Sequence, residues 1–140
     1  MPVLGLGIDV VDLRRMERLH GRYGEAFIRR FCREGEWQER QGGALIEHIG
    51  GLFAAKEAVM KALGTGWAEG LAFRQIEVVR LPSGAPTIRL HQDAEQRARD
   101  MGAESIHISI THERTYAAAV AILEGGMTPY SPTPSGPTTS

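Results

Sequence analysis

Hydrophobic residues recur along the chain with two spacings, and the clearest spacing has a period of two. Between residues 106 and 111, three isoleucines alternate with His107, Ser109 and Thr111, which predicts a strand with two chemically different faces. Residues 116–123 are rich in alanine, but they follow a short turn, and this position favours a second antiparallel strand over a helix.

Three further strands are predicted at the start and in the middle of the chain. Residues 3–9 form a short apolar run, with Gly5 and Gly7 at points where another backbone can approach closely. Residues 75–81 and 87–91 alternate on either side of a turn that contains proline and glycine, which predicts a hairpin.

Apolar residues spaced three or four apart predict the helices. One helix follows Asp12, which is placed to cap it. The longest covers residues 44–63, where Gly50 and Gly51 predict a bend or tight packing, and a polar helix covers residues 93–101. With the strands, this order predicts an α+β fold, a single domain in which a mainly antiparallel sheet packs against helices.

Composition sets the limits of that domain. The chain has 140 residues, of which 42% are hydrophobic, and this is enough for one core. We assign residues 1–124 to the domain. Residues 125–140 contain four prolines and several serines and threonines, and we assign them to a disordered tail.

The charge and the cysteine content exclude several classes of function. A formal net charge of −1 gives no overall attraction to nucleic acid or to a membrane. The apolar start of the chain is interrupted by Asp9 and Asp12, unlike a signal peptide or a membrane span. Cys32 is the only cysteine, which excludes an intramolecular disulfide and a cysteine zinc cluster. These features favour a cytoplasmic protein with no nucleic-acid or membrane partner.

A carboxylate and an ammonium fall on one face of the long helix. Glu57 and Lys61 are four residues apart, and such a pair, taken alone, is most often a surface ion pair. The alanines around Glu57, however, would let a ligand or another backbone lie close. Because Asp12 is the better helix cap, Asp9 is free to join Glu57 as a pair of hard oxygen ligands, which suits Mg²⁺ when phosphates and waters complete its coordination.

Further features of this region point to phosphate chemistry. Both lysines of the chain, Lys56 and Lys61, lie in this segment, although the chain contains fourteen arginines, which suggests that a compact ammonium is needed there. The next residues offer backbone amides and a hydroxyl that suit phosphate oxygens: Gly64, Thr65 and Gly66.

His112 ends the alternating strand, beside Thr111. A lone histidine is more often structural than catalytic. An imidazole at a strand end can nevertheless reach a phosphate or move a proton near pH 7, so both interpretations stay open.

Seven arginines are concentrated between residues 14 and 33. Such a charge run is usually a solvated face. The functional interpretation is a docking surface for an acidic partner. Nucleic acid is a weaker option because no exposed aromatic residues are interleaved with the arginines.

Three separated blocks of the sequence match one known family. They are residues 7–16 (GIDVVDLRRM), residues 53–66 (FAAKEAVMKALGTG) and residues 107–112 (HISITH), which lead into residues 115–120. The blocks resemble the holo-acyl-carrier-protein synthases, the short, homotrimeric class of 4′-phosphopantetheinyl transferases. The second block is highly specific, and with smaller matches the resemblance spans nearly all of residues 3–123.

The resemblance implies the 4′-phosphopantetheinyl transferase fold and a reaction of fatty acid biosynthesis. The 4′-phosphopantetheine arm of coenzyme A would pass to a serine of apo-acyl carrier protein, which attacks the β-phosphate, and 3′,5′-ADP would leave. Asp9 and Glu57 would hold Mg²⁺, Lys61 would neutralise the developing phosphate charge, and His112 would also be catalytic. The implied contacts with coenzyme A are Lys61, Gly64, Thr65, Gly66, Pro86, Thr111 and His112.

The resemblance also implies partners. Arg15, Leu19 and Arg22 of the first helix would contact an acidic helix of the carrier protein. The active site would form between neighbouring protomers of a homotrimer, with His112 facing Asp9 and Glu57 across the interface, so a monomer would have no complete site. In two places the sequence departs from the family pattern, because threonine at 111 stands where serine is common and arginine at 33 where threonine is common.

Two alternative functions stay open from the sequence. One is a broad-specificity phosphopantetheinyl transferase that acts on the carrier proteins of polyketide or peptide synthesis. The other is a non-catalytic module that binds coenzyme A or a carrier protein. Asp9, Glu57 and Lys61 argue against the binding module, because binding alone does not require a metal centre beside the pyrophosphate.

Overall fold

Five strands and four helices make up the described part of the chain, residues 1–64 and 72–126, in this computed structural model. The strands are β1 (Val3–Asp12), β2 (Ile76–Arg80), β3 (Pro86–Leu90), β4 (Ala103–His112) and β5 (Tyr116–Gly125). The helices are α1 (Leu13–Tyr23), α2 (Glu25–Arg29), α3 (Gly42–Ala62) and α4 (Gln92–Met101), and short 3₁₀ turns lie at Glu34–Glu36 and Phe73–Gln75.

The strands pair antiparallel in two sheets. β1, β5 and β4 form a three-stranded sheet with β5 in its centre, and β2 pairs with β3 as a hairpin. The predicted α+β class, the hairpin and the strand after the turn at residue 115 are therefore confirmed. β1 continues past its predicted end at Asp9, because the residues up to Asp12 still pair with β5 before α1 begins.

The long helix α3 covers one face of the three-stranded sheet and packs directly on β1. A Cβ atom at Gly7 would overlap the carbonyl oxygen of Ala58, and a Cβ atom at Gly5 would overlap that of Ala62. Only glycine allows this approach of the two backbones, so the predicted close contact is confirmed. Asp9, two residues after Gly7, lies on the same face of β1 because side chains alternate along a strand.

We expect Gly7→Ala to destabilise the domain. The added methyl group would overlap the backbone of α3, which cannot turn aside as a side chain can. Overpacking of this kind lowers the free energy of unfolding by about 1–3 kcal/mol, which urea or thermal unfolding would measure. Gly21→Ala is the matched control, since a Cβ atom at Gly21 meets nothing within 4 Å. If Gly7→Ala were as stable as the unmodified chain, the close contact of β1 with α3 would be wrong.

The middle of α3 also packs tightly. A Cβ atom at Gly50 would overlap the side chain of Leu13 on α1, and one at Gly51 would lie 3.0 Å from Cγ2 of Ile110 on β4. These two glycines let α3 contact α1 and the sheet at once, which confirms the tight packing predicted from the sequence.

The opposite face of the three-stranded sheet is uncovered in the single chain. Three large apolar side chains of β1 expose 62%, 63% and 61% of their surface there: Leu6, Ile8 and Val10. Their cross-strand neighbours on β5 are Ile122, Val120 and Ala118. On β4 the same face carries His107, Ser109 and Thr111. The strand predicted to have two different faces therefore has them, and an apolar stripe stays open to solvent.

The last strand ends next to the residues that we assigned to the tail. β5 runs to Gly125, one residue into the segment that we assigned to the tail. Residues 127–140 lie outside the described residues, so the predicted disorder stays a prediction. No helix within residues 1–64 and 72–126 has the length and apolar character needed to cross a membrane.

Candidate active site

Asp9 and Lys61 meet where β1 packs on α3. Lys61 Nζ donates to the backbone carbonyl of Ile8 at 2.9 Å and to Asp9 Oδ1 at 3.3 Å. The Asp9 side chain is 16% exposed and that of Lys61 is 53% exposed. The carboxylate is therefore mostly enclosed, while the ammonium stays accessible to a ligand.

Glu57 lies one turn before Lys61 on α3 and is half-buried. Burial raises the pKa of Glu57 above its ordinary value, the nearby charge of Asp9 also raises it, and Lys61 acts in the opposite direction. Because Lys61 bonds to Asp9 and lies one helical turn from Glu57, both carboxylates belong to this part of the structure. The structure thus brings together three of the residues that the sequence assigned to one site: Asp9, Glu57 and Lys61.

This pair of carboxylates fits a hard divalent cation. Two neighbouring carboxylates repel each other, and a cation between them would favour the charged form of both. Mg²⁺ is commonly held by one or two carboxylates while phosphates and waters supply the other ligands. Within residues 1–64 and 72–126 no group of three or more His, Cys, Asp or Glu side chains could hold a metal ion. A Mg²⁺ ion here would therefore need oxygens from a phosphate-bearing substrate and from water.

His112 lies away from the carboxylate pair within a single chain. It ends β4, and β5 separates β4 from β1. His112 Nδ1 is 3.9 Å from Glu47 Oε2, and Glu47 precedes Glu57 by about 15 Å along the axis of α3, since a helix rises about 1.5 Å per residue. The predicted role of His112, facing the carboxylates from a neighbouring chain, stays a prediction.

A polar cavity of about 240 Å³ opens beside His112. Its walls include the guanidinium-bearing Arg40 and Arg80, the half-buried His48 and the carboxylate of Glu47. Two guanidinium groups next to an imidazole suit an anionic group of a ligand. The sequence did not predict either arginine as a site residue. Arg40 lies between two elements and Arg80 ends β2, so only the fold brings them close to His112.

The other predicted contacts with coenzyme A are spread over the structure. The sequence suggested that the backbone N–H of Gly64 is free for a ligand. In the structure this N–H instead donates to a carbonyl in the last turn of α3 at 3.0 Å. Pro86 begins β3, and Thr111 lies on the open face of the sheet. Thr65 and Gly66 lie outside the described residues.

Arg15, Leu19 and Arg22 lie on α1, as predicted. Both arginines are exposed, and Leu19 lines an apolar groove of about 360 Å³. Aromatic rings from three parts of the chain line the rest of the groove, including Phe27 of α2 and Phe53 of α3. The sequence did not predict the groove, because these rings are distant in the chain and meet only in the fold.

Lys56 does not belong to the carboxylate site. Its side chain is fully buried, and its Nζ lies 2.9 Å from Glu36 Oε1. The scarcity of lysine indicated that an ammonium is needed at this position. It did not reveal the partner, because Glu36 precedes Lys56 by 20 residues and lies in a short 3₁₀ turn outside α3.

Comparison with known sequences places the chain among phosphopantetheine-transferring proteins. It matches the family model of the 4′-phosphopantetheinyl transferase superfamily over residues 5–121. It is also similar to the holo-[acyl-carrier-protein] synthase of Maridesulfovibrio salexigens, with 46% identity over 122 residues, which cover 87% of this chain and 98% of that protein.

Comparison with solved structures gives the same result. The fold is similar to the holo-[acyl-carrier-protein] synthase of Helicobacter pylori in complex with coenzyme A, with a TM-score of 0.73 and 30% identity, covering 85% of this chain and 99% of that chain. It is also similar to the holo-(acyl-carrier-protein) synthase of Bacillus anthracis in complex with CoA (3′,5′-ADP), with a TM-score of 0.73 and 31% identity, covering 89% of this chain and 98% of that chain.

Proposed function

This chain belongs to the 4′-phosphopantetheinyl transferase superfamily, and we propose that it transfers the 4′-phosphopantetheine arm of coenzyme A to a serine of apo-acyl carrier protein. The serine hydroxyl loses its proton to solvent as its oxygen bonds to the β-phosphorus, the bond from that phosphorus to the bridging oxygen breaks, and 3′,5′-ADP leaves with that oxygen and its electron pair. The observation that carries this proposal is the gathering of Asp9, Glu57 and Lys61 at one partly enclosed site.

We propose that Asp9 and Glu57 hold Mg²⁺, because this ion is commonly held by one or two carboxylates. When bound, the metal supplies positive charge that stabilises the charge developing on the pyrophosphate. Lys61 would neutralise part of the same charge. Among the described residues its half-exposed ammonium donates to the Ile8 carbonyl and to Asp9, which leaves a third N–H for a phosphate oxygen. The enclosed carboxylate of Asp9 thus orients both cationic groups.

The direct test is mass spectrometry of an apo-acyl carrier protein incubated with this protein, coenzyme A and Mg²⁺, with a parallel sample that contains a chelator. We expect the carrier to gain one phosphopantetheine, and the chelator to prevent the gain. A gain that survives the chelator would remove the metal assignment. No gain on several apo-carriers would favour a module that binds coenzyme A or a carrier without catalysis.

The range of carrier proteins is a separate question with its own test. We propose the fatty-acid carrier as the main substrate, and a broad enzyme would also accept carriers of polyketide or peptide synthesis. Competing rates on mixed purified apo-carriers decide between them, because a ratio of kcat/KM values close to one identifies the broad enzyme.

The surface of α1 suits an acidic carrier helix. Arg15 and Arg22 are exposed and lie seven residues apart, so they project from the same side of the helix. Between them Leu19 begins the apolar groove, which can receive apolar side chains of the carrier while the arginines meet its carboxylates. We therefore propose that the docking surface comprises Arg15, Leu19, Arg22 and the groove.

We expect the double substitution Arg15→Glu and Arg22→Glu to impair the use of the carrier selectively. Reversed charges would repel an acidic helix, so the KM for the carrier should rise about 10-fold or more, and this effect should weaken at high salt. Steady-state kinetics with each substrate varied in turn would measure it. Arg99→Glu on α4 is the control, because Arg99 is exposed but lies outside the proposed docking surface. If only the KM for coenzyme A changed, the docking proposal would be wrong.

We propose that the active enzyme is a homotrimer with shared sites, as the family resemblance implies. Two features of the single chain support this proposal. The apolar stripe of β1 and β5 is uncovered, and His112 lies about 15 Å along α3 from the carboxylates. A neighbouring chain that covers the stripe could bring its own His112 and the adjoining arginine-lined cavity to Asp9 and Glu57.

We also place the protein in the cytoplasm, which agrees with the single buried cysteine, Cys32.

A further inference from the structure

The fully buried ammonium of Lys56 directly precedes Glu57, the proposed metal ligand, in the sequence. Lys56 is 0% exposed, and its Nζ donates to Glu36 Oε1 at 2.9 Å, to the Ile76 carbonyl at 2.6 Å and to the Phe73 carbonyl at 3.3 Å. An ammonium has three N–H donors, so each of them has an acceptor. Lys56 therefore has a single well-defined position that joins α3 to the chain on both sides of it.

Glu36 is held as firmly as Lys56. Its Oε1 also accepts the backbone N–H of Arg33 at 2.7 Å, and its Oε2 accepts that of Val78 at 2.8 Å. Its carbonyl lies 2.5 Å from His48 Nε2. Burial lowers the pKa of His48, and the neutral ring donates its Nε2–H to this carbonyl. Glu36 is thus bonded to α3 at two places about two turns apart, His48 and Lys56.

Lys56 makes its bonds on the side of α3 that faces away from β1, because it is two residues, or about 200° around the helix, from Ala58. On the other side, the backbone of α3 touches Gly5 and Gly7. The glycine contact sets the distance between helix and strand, and Lys61 adds bonds to Ile8 and Asp9 on that side. The bonds from Lys56 and His48 to Glu36 are also directional, so they further fix the rotation of the helix about its axis.

Rotation of α3 determines where the Glu57 carboxylate points. Successive residues of a helix are about 100° apart, so any turn of Lys56 about the axis turns Glu57 equally. A carboxylate about 6 Å from the axis moves by about 1 Å when the helix turns by about 10°. An error of about 1 Å in a catalytic group can lower a rate by about 100-fold.

We propose that Lys56 is a positioning residue for the metal site: its bonds to Glu36 and to the Phe73 and Ile76 carbonyls fix the rotation of α3 and thereby hold Glu57 opposite Asp9. This inference rests on the proposed function, because it concerns the same pair of carboxylates. A buried ion pair can often be replaced by apolar side chains without loss of stability. The directional bonds that it makes are what an apolar pair cannot supply.

The test uses the double variant Lys56→Met and Glu36→Gln, which removes both charges so that neither is left buried alone. Mn²⁺ binding to the full-length protein with coenzyme A is measured by electron paramagnetic resonance, independently of turnover. We expect the Mn²⁺ affinity to fall about 10-fold and kcat to fall about 100-fold, while the KM for the carrier changes by less than about threefold. Glu36→Asp is a second variant, which keeps both charges but shortens the side chain, and we expect it to give a smaller loss of the same kind.

The control is Ile49→Ala, which removes a fully buried side chain of α3 that makes no polar bond of this kind. A purely structural role for Lys56 predicts that Ile49→Ala and the double variant lose thermal stability while the Mn²⁺ affinity of the folded protein is kept. Folded Lys56 and Glu36 variants with unchanged Mn²⁺ affinity and kcat would overturn the inference and leave the proposed function intact. If the unmodified protein bound no Mn²⁺ through Asp9 and Glu57, the metal assignment would fail, and the inference would be overturned with it.

Discussion

Asp9→Asn and Glu57→Gln should each abolish measurable phosphopantetheine transfer while the domain stays folded. Each substitution keeps the shape of the side chain and removes one of the two negative charges that would hold Mg²⁺. A catalytic metal contributes several kcal/mol of transition-state stabilisation, so kcat should fall by about 10³-fold or more. The assay is transfer to apo-carrier at saturating coenzyme A, with Mg²⁺ titrated upward. Near-normal rates at high Mg²⁺ would contradict the assignment of these two residues.

The thermal stability of the same variants shows whether the loss of transfer comes from the active site or from unfolding. Burial and the charge of Asp9 raise the folded-state pKa of Glu57. In the metal-free protein, Glu57 therefore keeps its carboxyl proton to a higher pH in the folded state than in the unfolded state. The contribution of Glu57 to the free energy of unfolding is therefore greatest at low pH and is lost as the pH rises through its folded-state pKa. Glu57→Gln cannot ionise, so it removes this loss of unfolding free energy at high pH. The metal-free variant should therefore melt no lower than the unmodified protein at neutral pH. Glu39→Gln, at an exposed carboxylate, should change neither rate nor melting.

Local features of the sequence predicted the elements of this fold well. Asp12 caps α1 as expected, since its side chain accepts the backbone N–H of Arg14 at 2.9 Å. The bond with Arg14 also lowers the pKa of Asp12, although both groups are exposed. Gly5 and Gly7 could be interpreted because a glycine in a strand often marks a close backbone approach. Each of these predictions depends on residues that are near one another in the chain.

The carboxylate site was predictable for a different reason. Glu57 and Lys61 share a helix face by their spacing, and Asp9 could be added because Asp12 already served as the cap. The resemblance to a known family then gave these residues their chemical roles. The structure adds the bond from Lys61 to Asp9, which joins β1 to the helix that carries Glu57 and which no local pattern reveals.

Contacts between distant segments were not predictable from the sequence. Lys56 bonds to Glu36 in a short 3₁₀ turn outside α3, and Arg40 reaches the cavity beside His112 only after the chain has folded. No periodic pattern specifies such contacts, because they depend on how finished elements pack. The resemblance implies that His112 acts from another chain, and this stays a prediction.

The open face of the sheet provides the second large expected effect. We expect Leu6→Asp to convert the protein from a trimer to a monomer and to abolish transfer. Leu6 is 62% exposed in the single chain, and in the proposed trimer it would be covered. An unpaired charge buried at an interface costs about 3 kcal/mol or more, and three equivalent interfaces would be affected. Native mass spectrometry measures the assembly, and Leu81→Asp is the control, because Leu81 is 47% exposed but lies outside the three-stranded sheet.

A mixing experiment separates the shared site from assembly alone. Asp9→Asn and His112→Ala should each be inactive, but a trimer that contains both has an interface with an intact Asp9 on one chain and an intact His112 on the next. Refolding equal amounts together should restore activity, up to about one quarter of the normal rate, because about one interface in four is then complete if chains mix at random. If mixing restored nothing although mixed trimers formed, Asp9 and His112 would not share a site between chains. Full activity of the Leu6→Asp monomer would contradict the trimer proposal as a whole.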